Sequence, residues 1–112
     1  MKFALCSSRH PMPVEMPSIF PETVTDPTDI DALMGIVDAK LSELNAGKAF
    51  ALEPIDLYVT GLTVCVGAVV RYCYLHMVPC TLHHFDRTTG DYYPQVIISV
   101  QDAAFQRERG WY

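Results

Sequence analysis

The sequence predicts a small α/β domain of order β-α-β-α-β-β, with a mostly parallel sheet and an antiparallel hairpin at its end. Three observations carry this. Residues 55–63 run apolar through Leu57, Tyr58 and Val59, break at Thr60-Gly61-Leu62-Thr63 and lead straight into a long apolar segment, which reads as a strand, a glycine turn and the first turn of a helix. Upstream, Ile30, Leu33, Val37, Leu41 and Leu44 recur at helical spacing. Downstream, the apolar runs 80–85 and 92–100 flank Asp86-Arg87-Thr88-Thr89-Gly90-Asp91, a stretch rich in turn formers.

Taken in order, residues 2–7 are short and mostly apolar, which suits a buried first strand. Residues 8–28 contain Pro11, Pro13, Pro17, Pro21 and Pro27, so neither a helix nor a central strand persists there. A loop of that length in a small domain suits a lid or a binding loop. Thr28 is placed to cap the first helix, with Asp31 at its third helical position, and Asn45-Ala46-Gly47 supplies the stop. Asp29, Asp31, Asp38, Lys40 and Glu43 mostly avoid the apolar stripe, so one face of this helix meets the sheet and the other meets water. Residues 63–77 leave almost no polar face, and a helix apolar all round is buried on two sides, either under the chain's own loops or against a second subunit. Val78-Pro79 ends that helix. Pro94 marks the last strand as an edge or irregular one, and residues 101–112, with Phe105, Arg107, Arg109, Trp111 and Tyr112, form a short helix or a docked tail.

At 112 residues and 50% hydrophobic, the chain suits one domain spanning residues 1–112, small enough for a partner subunit to help bury its core. Thirteen acidic against eight basic residues give a formal charge of −5, which opposes adhesion to long nucleic acid, where affinity comes from many lysine and arginine contacts. A short anionic ligand held at one local site is compatible with it. Cys6, Cys65, Cys73 and Cys80 show no Cys-x-x-Cys spacing and sit in apolar runs, as reduced core residues of a cytoplasmic protein do. The first residues lack the features of a signal peptide, and Asp56, Arg71 and Asp86 keep every uncharged run short of the roughly 18 residues a membrane span needs. A cytoplasmic protein without a membrane partner is expected.

Two β-α units in one right-handed parallel sheet place the loops after the first three strands at the same carboxyl edge, where open α/β sheets bind ligands. Ser7-Ser8-Arg9-His10 leaves the first strand, Thr60-Gly61-Leu62-Thr63 the second, and His83-His84-Phe85-Asp86-Arg87 closes the third. The glycine turn offers unpaired N–H groups and two hydroxyls at the positive end of a helix dipole, a setting that welcomes phosphate. It lacks both a Gly-x-Gly-x-x-Gly pattern and a Walker lysine, so a plain structural turn is the alternative. Arg9 binds a ligand or pairs with an acidic neighbour. His83 and His84 point to opposite faces of a strand, so one at most faces the crevice while the other packs under a helix. Asp86 and Arg87 serve either the site or only the turn, and His76, near a helix end, reads as a surface or capping residue. A metal site requires His84 and Asp86 to converge with His10 or His76, which no spacing demands.

The runs Asp56-Leu57-Tyr58-Val59-Thr60-Gly61-Leu62-Thr63 and Val78-Pro79-Cys80-Thr81-Leu82-His83-His84-Phe85-Asp86-Arg87, the returning Tyr92-Tyr93-Pro94-Gln95 and the opening Leu5-Cys6-Ser7-Ser8-Arg9-His10-Pro11 resemble the small CRISPR-associated (Csx-type) proteins related to CARF domains. The likeness covers roughly residues 1–10 and 55–98. Several such proteins are ring nucleases, which degrade the cyclic oligoadenylate messengers of type III CRISPR defence. The resemblance implies a Rossmann-like (CARF-like) three-layer domain and a homodimer that holds cyclic tetra-adenylate across its two-fold axis. It also implies a phosphodiesterase activity that ends the signal and leaves 2′,3′-cyclic phosphate products. In the metal-free route no cofactor is needed: Arg9 meets phosphate charge, Ser7, Ser8, Thr60, Gly61, Leu62, Thr63 and Arg87 line the ligand site, and His10 or His84 moves a proton because imidazole titrates near neutrality. Asp86 orients a histidine there. In some relatives a histidine before the third strand and an aspartate at its end serve a manganese-dependent reaction; Asp86 falls on the second position, and His76 lies only near the first. A non-catalytic nucleotide sensor or sequestering module and a protein interaction subunit are the alternative functions.

Overall fold

Apolar spacing decides the first helix. The computed structural model describes residues 2–5, 16–20, 26–44, 54–60 and 63–109, and within them α1 spans Ile30–Leu44. Leu33, Val37 and Leu41 are its buried stripe. Its cap is Asp29 rather than Thr28: the Asp29 carboxylate accepts the Ala32 N–H at 3.1 Å, and its carbonyl accepts the first helical N–H, that of Leu33, at 3.1 Å. Thr28 is engaged one step earlier, giving both its N–H and its hydroxyl to the Asp26 carboxylate at 2.9 and 2.6 Å. Pro27 sits inside that small loop, so Asp26 sets the direction of entry and the next side chain closes the helix.

The strands are β1 (Lys2–Ala4), β2 (Ile55–Tyr58), β3 (Cys80–Asp86) and β4 (Asp91–Ile98), joined in the order β1-β2-β3-β4. The first two pairings are parallel and the third is antiparallel. This is the α/β architecture with a mostly parallel sheet and a closing hairpin that the sequence predicts. Part of the proline-rich segment adds to it: Ala4 donates to the Pro17 carbonyl at 2.9 Å and Ile19 donates to Ala4 at 3.0 Å, so residues 16–20 run beside the outer edge of β1. Ile19 and Phe20 are buried there. Of the loop expected over residues 8–28, the described residues 16–20 are anchored to β1; residues 8–15 and 21–25, and with them the role as a lid, lie outside the described ones.

Between β2 and β3, α2 (Thr63–His76) buries Cys65, Ala68, Val69, Tyr72 and Cys73. Within the single chain it is covered on one side, with Thr63, Gly67, Arg71, Tyr74 and Leu75 exposed. The helix ends by hydrogen bonds that overlap across its last turn. Val78 donates to Cys73 at 2.9 Å and Met77 to Tyr74 at 3.4 Å, with Met77 at φ 51° in the left-handed position a glycine usually takes. Cys73 and Cys80, brought together by this turn, share a thiol hydrogen bond: donation to Cys80, with burial, pushes the Cys73 thiol up, and the same bond draws Cys80 down.

After β4 the chain forms α3 (Val100–Glu108), so Val100 opens a helix instead of ending a strand. Ser99 and Asp102 make a reciprocal cap: the Asp102 N–H donates to the Ser99 hydroxyl at 2.9 Å, and the Ser99 N–H donates to the Asp102 carboxylate at 3.0 Å. Phe105 is exposed, while Trp111 and Tyr112 lie outside the described residues.

Register defines two faces. Phe3, Leu57 and Leu82 stand in one row and share a core with Leu33, Val37, Leu41, Val69 and Cys73, which Ala103 of α3 also joins. Because the parallel strands advance in one direction without reversal, right-handed crossovers put α1 and α2 on the same side of the sheet, and these two helices pack on each other. The described helices feed that single core, so the third layer implied by the resemblance is not supplied by α1 and α2. The opposite face carries Asp56, Thr81 and His83, all half-buried, with Tyr58 beneath them. Cys65, Cys73 and Cys80 are buried thiols, as their apolar settings predict, and Cys6 lies outside the described residues.

Candidate functional site

The parallel strands set up a common carboxyl edge. Ala4, Tyr58 and His83 form the last row in which all three are in register. Just past it Leu5 donates to the Tyr58 carbonyl at 3.0 Å and Val59 to the His83 carbonyl at 2.9 Å. The strands then part. β3 alone continues, with His84, Phe85 and Asp86 paired to Tyr93, Tyr92 and Asp91 of β4.

Of the residues singled out in the sequence, Ser7, Ser8, Arg9, His10, Gly61 and Leu62 lie outside the described residues. Thr60 follows β2 and is the one buried polar residue among those described, at 5% exposure. Thr63 is the first residue of α2 and is exposed. The amino end of a 14-residue helix therefore stands at the carboxyl edge of β2, where the N–H groups of its first turn carry partial positive charge.

At the hairpin, the Asp86 carboxylate accepts the Thr88 N–H at 2.8 Å, and its carbonyl accepts the Gly90 N–H at 2.8 Å. Asp86 thus shapes the turn, one of the two roles open to it in the sequence. Arg87, exposed, is the first residue of that turn. His84 lies on the helix-bearing side of the sheet, its Nε2 2.8 Å from the Gln95 side-chain oxygen and its ring 5.4 Å from that of Tyr93. His76 closes α2, exposed, with its ring 4.3 Å from Tyr72. Among the described residues no three His, Cys, Asp or Glu side chains come together as metal ligands, and His84 and Asp86 already hold protein partners. His10, one of the alternative ligands such a site requires, lies outside the described residues, and no chemical step is assigned to a metal.

His83 is the residue the sequence alone did not select. It points away from α1 and α2, and its Nε2 meets the Asp56 Oδ1 at 2.9 Å. Tyr58 lies flat against the imidazole, with centroids 4.5 Å apart and planes 9° from parallel. Tyr92 sets its edge against Tyr58 at 5.0 Å and packs on Phe85 at 5.3 Å. The His83 and Asp56 side chains retain 19% and 38% exposure, so the pair is held by the sheet yet reachable. A signal for it was present: a carboxylate inside the apolar strand Ile55-Asp56-Leu57 is costly without a partner. Only the order and register of the strands identify that partner as His83, two residues beyond Thr81, which stands opposite Asp56.

No helix of the described residues is long and apolar enough to cross a membrane. No protein family, curated protein or solved structure matches the chain.

Proposed function

We propose that this chain is a ring nuclease that binds cyclic oligoadenylate, cyclic tetra-adenylate first among them, and opens it, acting as a cytoplasmic homodimer in type III CRISPR signalling. The observation that carries the reading is the junction at the end of β2, where the amino end of α2 stands at the shared carboxyl edge with Thr60 and Thr63 on either side of the glycine turn. A phosphodiester is the ligand class such a helix end favours, and the Csx-type segments include this same junction.

Opening of the ring is a transesterification. The ribose 2′-oxygen attacks the adjacent phosphorus as the bond from phosphorus to the 5′-oxygen breaks, leaving a linear chain that ends in a 2′,3′-cyclic phosphate. The protein's tasks are to bend the ring into an in-line geometry, to balance charge building on the phosphoryl oxygens and to manage two protons. Arg9 serves the phosphate charge, and Arg87 lines the ligand site. Ser7, Ser8, Thr60, Gly61, Leu62 and Thr63 cradle the phosphates, and His10 joins the proton transfers. The exposed stripe of α2, with Tyr74 and Leu75 at 65% and 50% exposure, is the surface offered to a second subunit.

One observation favours a non-catalytic sensor instead. His84 and Asp86, both assigned to catalysis from the sequence, are held by Gln95 and by the hairpin turn. A single assay separates the readings. Purified protein is incubated with cyclic tetra-adenylate and cyclic hexa-adenylate, with and without EDTA, and products are identified by mass spectrometry. A linear species ending in a 2′,3′-cyclic phosphate, formed equally in EDTA, is the expected result. Bound but intact rings indicate the sensor, and rings neither bound nor opened remove the nucleotide reading altogether.

A further inference from the structure

We infer that His83, oriented by Asp56 and seated on Tyr58, is the group that takes the proton from the attacking 2′-hydroxyl; this rests on the nuclease reading above. Three features of the sheet's open face support it. First, an ionised carboxylate only accepts hydrogen bonds, so the 2.9 Å contact with Asp56 Oδ1 puts a hydrogen on His83 Nε2. The neutral ring then presents Nδ1 as a bare acceptor, the state a general base requires. Among the described residues Nδ1 has no hydrogen-bond partner.

Second, the ring is fixed in two directions. Asp56 holds it in its plane, and the Tyr58 face, 4.5 Å away and nearly parallel, stops it from rotating out of that plane. A base in one orientation loses little freedom when the substrate arrives. His84 differs on the point that matters, since its partner is a neutral amide and it projects from the other face of the strand.

Third, the position is right for an edge-bound ligand. His83 stands in the last row shared by the three parallel strands, one row before they part. Tyr58 stacks on it, Tyr92 packs on Tyr58 and Phe85 on Tyr92, aromatic rings beside which a ribose can sit at the same sheet edge where α2 begins. In the step itself the 2′-hydroxyl proton passes to Nδ1, the 2′-oxygen bonds to phosphorus, and the electron pair of the breaking bond leaves on the 5′-oxygen, which takes a proton from water. The imidazolium then returns its proton to solvent, so no co-reactant is consumed. Asp56 and Tyr58 act through His83 and are positioning residues.

The test uses His83→Gln, which keeps an N–H donor for Asp56 and removes the basic nitrogen. Expected is a fall in kcat of about 100-fold or more, with cyclic tetra-adenylate binding by calorimetry within about threefold of wild type. Asp56→Asn lowers kcat by about tenfold or more at unchanged KM, and it moves the His83 15N resonances from the Nε2–H to the Nδ1–H pattern, because asparagine can donate to Nε2. Should His83→Gln fail to fold, Asp56→Asn carries the same test. Wild-type kcat in His83→Gln overturns the role of His83 alone. A wild-type protein that opens no ring removes the nuclease reading and this role with it, whereas an Nδ1–H pattern in the wild type overturns the role whatever the activity.

Discussion

Single side chains in this protein act chiefly by closing the ends of elements. Ser99 and Asp102 satisfy each other's backbone N–H at the start of α3, and Asp26 does the same for Thr28 ahead of α1. Hydrogen bonds to Ser99 hold the Asp102 carboxyl below its ordinary range, and those to Thr28 lower Asp26. Both groups are therefore more acidic folded than unfolded. The sign follows: the stabilisation they give is present above the ordinary aspartate pKa of about 4 and is lost as pH falls below it. Ser99→Ala is expected to cost about 1 kcal/mol at neutral pH, with the deficit against wild type shrinking below about pH 4 as the Asp102 carboxyl protonates in both. Urea titrations at pH 7 and pH 3 measure it, and a deficit that is unchanged or larger at the lower pH contradicts the cap. The sequence made these devices partly legible. Thr28 and Asp29 are both good capping residues, and composition does not choose between them; the Asp26 hydrogen bonds that occupy Thr28 do.

For elements, periodicity spoke clearly where one face is covered and poorly where the other is. The stripe of α1 and the start of α2 at Thr63 could be read because core burial repeats every three to four residues and because glycine interrupts the apolar run. The hairpin was equally plain from its turn formers. Gly90 carries φ 75° there, and a Cβ at this position meets open space, so Gly90→Ala tests backbone conformation alone. It is expected to cost about 1 kcal/mol and to lower Tm; an unchanged Tm contradicts a left-handed turn. What periodicity withheld was the helix-free side of β3. His83 and His84 point opposite ways by strand geometry, but which of them lies away from the helices depends on where the crossovers pass. That placement left Asp56 without a recognisable partner in the sequence.

Across the whole molecule, strand order is the decisive fact. The succession of elements is legible in the sequence but their sideways arrangement is not, and the absence of any reversal in β1-β2-β3-β4 follows from pairings between residues distant in the chain, such as Lys2 with Asp56 and Asp56 with Thr81. One consequence is a core drawn from one side. Leu57 lies at 0% exposure in the central parallel strand among residues of both long helices, so Leu57→Ala is expected to cost about 2–5 kcal/mol. Chemical denaturation checks it, and a loss under 1 kcal/mol means that this side of the sheet is not the main core. A second consequence concerns the proposed ligand. In doubly wound sheets the crevice opens where the order reverses, and a sheet that advances one way has no such gap. Any pocket at its carboxyl edge is walled by the connecting segments that begin there.

One of those segments leaves β1 after Leu5 and returns to the same strand, where Pro17, Ile19 and Phe20 exchange hydrogen bonds with Ala4 and Leu5. The span of sequence that carries Arg9 and His10 thus connects two segments hydrogen-bonded to the same strand. Its length can change without unthreading the fold, because the entropy of closing a loop grows only slowly with added residues. The proposed ligand site is then adjustable in a span whose two anchor points stay put, while the sheet and its Asp56–His83 pair remain as they are.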